Sequence, residues 1–121
     1  TVSVLRELGP SQGTLVTASE DLHAGNVLRA AREPWLVIDP KPVAAERDFT
    51  AVAMVRDRKH EVLASERPTE LLQRRLDRLS ADLEVERERV RAWTLAHTIA
   101  WGFDPEGFLP EHAAIARLLL D

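Results

Sequence analysis

Apolar positions alternate with polar ones in two different rhythms along this chain, and the change between them divides it. Before Pro42 the apolar residues come in short runs bounded by turn formers; after it they recur every three or four positions. Val4, Leu5 and Leu8 stand at helical spacing ahead of Gly9-Pro10, so Thr1 to Leu8 reads as the end of a helix, and a start inside a helix suggests a fragment of a longer chain. Thr14 to Thr17 is a short β-branched run that reads as a strand. Val27 to Ala30 and Trp35 to Ile38 read as a hairpin closed by Ala31-Arg32-Glu33-Pro34.

Beyond Pro42 the pattern predicts helices. Phe49, Val52, Val55 and Val62 define one from Glu46 to about Val62, a core element with charge toward its end. Pro68 suits the first turn of a second, whose Leu72, Leu76, Leu79 and Leu83 repeat at four and three. A repeat that short packs one helix into a globular core more readily than it builds a coiled-coil seam. Glu86 to Trp101 predicts the central buried helix, with His97 on its apolar stripe as a packed, hydrogen-bonded histidine. Gly102 to Gly107 breaks it, Asp104 capping or turning there, and Pro110 starts a last helix through Ile115, Leu118 and Leu119. The expected organisation is one domain over 1–121: a loop-and-hairpin part at 13–42 and a helical part at 43–121.

Composition narrows the chemistry. The 121 residues are 45% hydrophobic, enough for a core, without an apolar run long enough to cross a bilayer. A formal charge of -4 with interleaved signs offers no basic stripe for nucleic acid. Cysteine is absent, which removes disulfides and thiolate metal sites and agrees with a cytoplasmic setting. Lysine occurs only at Lys41 and Lys59.

The chemistry-bearing stretch is Asp21 to Pro42. Asp21 and Asn26 share one loop, and pairing of the hairpin strands returns Asp39 to the side of Asn26. One carboxylate for an attacking hydroxyl, with an amide and a second carboxylate for a hard cation, is what phosphoryl transfer of the kinase type uses. The same residue types also serve as plain turn formers. Metal-dependent hydrolysis by Asp21, His23 and Asp39 fits the residue types but lacks a second histidine at ligand spacing.

Asp21-Leu22-His23-Ala24-Gly25-Asn26-Val27-Leu28 followed by Ile38-Asp39-Pro40-Lys41 resembles the aminoglycoside phosphotransferases, nearest the streptomycin 6-kinase and hydroxyurea phosphotransferase branch. That branch carries His-Gly-Asp-Leu-His-x-x-Asn-Val-Leu, a hairpin, and Ile-Asp-Pro-Lys. The resemblance implies a mainly α lobe with a small β-hairpin, the C-terminal lobe of a kinase-like fold. It implies Asp21 as catalytic base, Asn26 and Asp39 as Mg2+ ligands, ATP as phosphoryl donor, and His23 and Lys41 as loop support. The acceptor is then a small molecule of aminoglycoside type. In such enzymes acidic residues of the helical region hold a cationic substrate, which makes Asp57, Glu61, Asp104 and Glu106 candidates.

Two departures stand out. Ser19-Glu20 replaces the family's His-Gly, and Ala45-Glu46-Arg47-Asp48-Phe49-Thr50 replaces a Gly-Asp-Pro-x-x-Asp. No glycine-rich phosphate loop or strand lysine precedes Asp21, so the nucleotide lobe of kinase-like enzymes has no counterpart in these residues. A truncated kinase remnant serving as an interaction module is the alternative, with a homodimer covering the surface on which that lobe packs.

Overall fold

A computed structural model describes residues 2–120. Helix α1 (Val2–Leu8) leads to strand β1 (Val16–Ser19). A 3-10 turn (Ala24–Asn26) precedes β2 (Val27–Arg29), β3 (Trp35–Val37) and β4 (Pro42–Ala45). A second 3-10 turn (Arg47–Ala51) opens the helical part, made of α2 (Val52–Val55), α3 (Lys59–Ala64), α4 (Pro68–Leu83) and α5 (Arg87–Ala100). The β5–β6 hairpin (Phe103–Asp104, Gly107–Phe108) and α6 (Pro110–Leu120) complete it.

Strands β1 to β4 form two nested antiparallel ladders, and β5 pairs with β6 in a third. Inside, β2 pairs with β3, Val27 opposite Val37 and Arg29 opposite Trp35, as the alternation predicts. Outside, β1 pairs with β4, Val16 opposite Ala45 and Ser19 opposite Pro42. Sequence reasoning had neither this outer ladder nor β4, because Ala44-Ala45 favours helix and only pairing with β1 holds it extended. The helical part therefore begins after Ala45, and the strand expected at 14–17 lies at 16–19.

The core lies among the helices. Val55, Val62, Leu72, Leu76, Val90, Leu95, Ile115 and Leu119 are buried together. The leucine face of α4 is spent on this core, since Leu72 and Leu76 are fully enclosed, which removes the basis for a coiled-coil seam. A smaller cluster of Ala18, Ala45, Phe49 and Val52, flanked by Val43 and Trp93, fastens the outer ladder to α5. Glu46 strengthens that junction from within. Its carboxylate accepts from Arg89 and from the Trp93 indole, and from the Gly13 amide at 3.1 Å. Burial pushes its pKa up, but these donors and the Arg89 charge outweigh it and the net shift is down.

The single helix expected from Glu46 to Val62 is broken. Arg75 on α4 donates to the carbonyls of Val55 and Asp57, which a continuous helix would engage internally. Arg58 adopts a left-handed conformation with φ 52°, and the chain restarts as α3 at a new angle. The break brings Arg56 and Asp57 to the side of the loop that follows β1. At the C-terminal end, Asp104 Oδ1 accepts from the amides of Glu106 and Gly107, both at 2.9 Å, and the φ of 139° at Gly107 suits glycine. Asp104 is thus a turn residue.

Candidate functional site

The two ladders leave a gap between their ends, and the candidate residues occupy it. The Glu20 amide donates to the Lys41 carbonyl at 2.9 Å, closing the outer ladder, and the Ile38 amide donates to the Asn26 carbonyl at 2.8 Å, closing the inner one. Residues 21–25 and 39–40 therefore face each other. Local order comes from His23, whose Nδ1 accepts from the Gly25 amide at 3.1 Å. A Cβ on Gly25 would lie 2.8 Å from the His23 ring, so a larger residue there would displace the ring from this position.

Asp21, Asn26, Asp39 and Lys41 come together. The Asn26 amide Nδ2 donates to the Asp21 carbonyl at 2.9 Å, which leaves its oxygen as the atom free to meet a cation. Lys41 Nζ donates to Asp21 Oδ2 at 2.8 Å and to Asp39 Oδ2 at 3.3 Å, so one ammonium bridges both carboxylates. Asp39 itself sits at φ 48°, a conformation that aspartate tolerates better than most residues. His23 Nε2 lies 3.7 Å from Asp21 Oδ1. Burial raises the Asp21 pKa, but the Lys41 bond and charge, with His23 and Arg56, turn the net shift downward. Asp21 is therefore a carboxylate at neutral pH. Asp21, His23 and Asp39 do not form a three-ligand metal cluster, and none of that kind occurs among the described residues.

Behind this gap lies a buried polar group that sequence reasoning missed. Arg56, only 9% exposed, stacks on the Trp101 ring at 5.1 Å and donates to His97 Nδ1 at 2.6 Å. An arginine donor fixes the neutral imidazole with its proton on Nε2, and that nitrogen faces Glu20 Oε1 at 3.5 Å. His97 is thus packed and hydrogen-bonded, as its place on the α5 stripe predicts. Its pKa is lowered to about 4, by burial first and then by the Arg56 charge. Glu20, which stands where the resemblance expects a glycine, has this pair as its neighbour. Nothing in the sequence marks Arg56 as buried, because arginines elsewhere in the chain form solvated faces.

The acidic residues considered for a cationic substrate do not converge. Asp57 Oδ2 accepts from the Ala24 amide at 3.0 Å, Glu61 pairs with Arg58 on the surface, and Asp104 is spent on its turn. Glu106 shares that turn, its amide donating to Asp104.

The family model described as aminoglycoside/hydroxyurea antibiotic resistance kinase matches residues 6–103. The hydroxyurea phosphotransferase of Kitasatospora aureofaciens is 42% identical over 106 residues, covering 83% of this chain and 28% of that protein. The streptomycin 6-kinase of Streptomyces glaucescens is 35% identical over 98 residues, with 78% and 32% covered. That of Streptomyces griseus is 34% identical over 104 residues, with 82% and 34% covered. The chain thus spans about a third of the length of the curated relatives it matches. No solved structure matches it. With the model covering most of its residues, including both the loop after β1 and the turn after β3, the chain belongs to the aminoglycoside/hydroxyurea antibiotic resistance kinase family.

Proposed function

We propose that residues 13–42 supply the catalytic and metal-binding loops of an ATP-dependent small-molecule phosphotransferase, on the C-terminal lobe of a kinase-like fold. The observation that carries this reading is the bridging of the Asp21 and Asp39 carboxylates by Lys41 Nζ, with the Asn26 amide bonded to the Asp21 carbonyl beside them. Asp21 orients the acceptor hydroxyl and takes its proton. The acceptor oxygen bonds to the γ-phosphorus as the bond from that phosphorus to the β–γ bridging oxygen breaks, and ADP leaves. A carboxylate of depressed pKa is adequate, because a loose transition state asks little of the base.

The Asn26 amide oxygen and the Asp39 carboxylate are hard oxygen donors that fit Mg2+, and these two residues would hold it. Bound there, magnesium supplies neutralisation of phosphoryl charge. Lys41 and His23 keep the two loops in register. The phosphate loop and strand lysine of such enzymes are not within these residues, so ATP is held by a part outside them, and the reaction is assigned to the cytoplasm, where ATP and magnesium are plentiful.

A second reading is a folded remnant that acts as an interaction or dimerisation module. It is favoured by exposed apolar side chains on the inner hairpin, Leu28, Trp35 and Val37, and by Glu20 beside Asp21. Calorimetric titration of magnesium and ATP into the longest natural chain containing this segment separates the two. Nucleotide binding, with phosphoryl transfer that falls at least about a hundredfold in Asp21→Asn at unchanged melting temperature, supports the transferase. Absence of nucleotide binding supports the remnant.

A further inference from the structure

Residue 20 stands between the loop that carries Asp21 and the buried polar group behind it. Its amide donates to the carbonyl of Lys41, the residue whose ammonium bridges Asp21 and Asp39, so the backbone next to Asp21 is fixed to that bridge. Its side chain reaches α5, where Glu20 Oε1 lies 3.5 Å from His97 Nε2. That nitrogen is enclosed and has no hydrogen-bond partner among the described residues, so Glu20 is the carboxylate toward which its proton points. A glycine, which the resemblance places here, would supply the backbone contact and not the second one.

Arg56 makes the second contact matter. Its guanidinium is buried, stacked on Trp101 and bonded to the neutral His97 ring, so its charge depends on carboxylates near by. Burial opposes that charge, and Asp21 and then Glu20 sustain it. Neither pairs with it directly: Asp21 Oδ2 is held by Lys41 at 2.8 Å, and Glu20 faces His97. Without Glu20, Asp21 would be the one carboxylate left to sustain it. Its present partner Lys41 is half exposed, and exposed pairs hold weakly, whereas a buried cation demands a counter-ion strongly. Asp21 would then move inward to Arg56.

We propose that Glu20 is a positioning residue: by sharing the charge of Arg56 beside His97, it keeps that guanidinium from drawing Asp21 inward and leaves the Asp21 carboxylate on Lys41, where it meets the acceptor hydroxyl. The inference rests on Asp21 being the base.

Lys41 and Lys59 are the only lysines, so nitrogen NMR of the side-chain ammonium groups in the 121-residue chain reads the bond between Asp21 and Lys41. Lys59, paired with Glu111 on α6, serves as the internal reference for an intact fold. In Glu20→Gln, which keeps the shape and removes the charge, the Lys41 signal is expected to move most of the way to its position in Asp21→Asn, with Lys59 unmoved. Adding Arg56→Met removes the pull and is expected to return the Lys41 signal. A Lys41 signal unmoved in Glu20→Gln overturns the inference, as does a shift that Arg56→Met fails to reverse. In the longest natural chain containing this segment, Glu20→Gln is expected to lower kcat about tenfold while the KM for ATP stays within about twofold. An unchanged kcat in an enzyme that Asp21→Asn inactivates defeats this inference and spares the function. Transfer indifferent to Asp21→Asn defeats both.

Discussion

From Leu15 to Lys41 Ala18 is the only buried side chain among the described residues, whereas α4, α5 and α6 enclose Leu72, Leu76, Val90, Leu95, Ile115 and Leu119 completely. The strand-and-loop part is held by backbone ladders and one bridging ammonium; the helical part by packed hydrocarbon. The difference separates two kinds of perturbation. Damage to the helices is read in stability. Damage to the loops is read in how Asp21, Asn26 and Asp39 meet.

The largest effect is expected from Leu76→Ala, which opens a cavity in the α4–α6 core and costs about 2–5 kcal/mol in chemical denaturation. Next is Glu46→Gln at the junction of the two parts. It removes a buried charge that serves Arg89, Trp93 and Gly13 together, and about 1–3 kcal/mol is the expected loss. If Glu46→Gln were neutral, the two parts would not be joined there.

A third effect follows from His97. Its folded pKa of about 4 lies below the ordinary 6.5, so between those values the unfolded chain binds more protons. Stability is complete above 6.5 and falls as pH drops toward 4, with a slope of up to about 1.4 kcal/mol per pH unit from this group. Denaturant midpoints measured across that window should flatten in His97→Gln.

Lys41→Met is expected to do least to stability, within about 0.5 kcal/mol, because its ion pairs are exposed. Its readout is the Asp21 pKa, followed by carboxyl carbon NMR, which should rise once the ammonium is gone. A Lys41→Met variant that melted like Leu76→Ala would erase the division between the two regions.

The legible features were those whose cause is local. Leu72 to Leu83 at four and three, Pro68 and Pro110 at helix starts, and Val27, Trp35 and Val37 around a turn each announce their element in a few residues. The features that escaped have distant causes. Strand β4 needs Val16 to Ala18, twenty-odd positions upstream, to hold two alanines extended. The break at Arg56 to Arg58 needs Arg75, which lies on another helix. The Asp21-to-Lys41 motif was readable as a pattern, but the bridging of two carboxylates by Lys41 depends on the outer ladder, and the burial of Arg56 depends on Trp101 and His97.

Because the outer ladder is pinned where Glu20 meets Lys41, the inner hairpin projects as a finger with its own root. Its tip, residues 31–34, is exposed. A fluorophore or a short peptide tag grafted at that fingertip is expected to report on docking of neighbouring chains while leaving the root undisturbed.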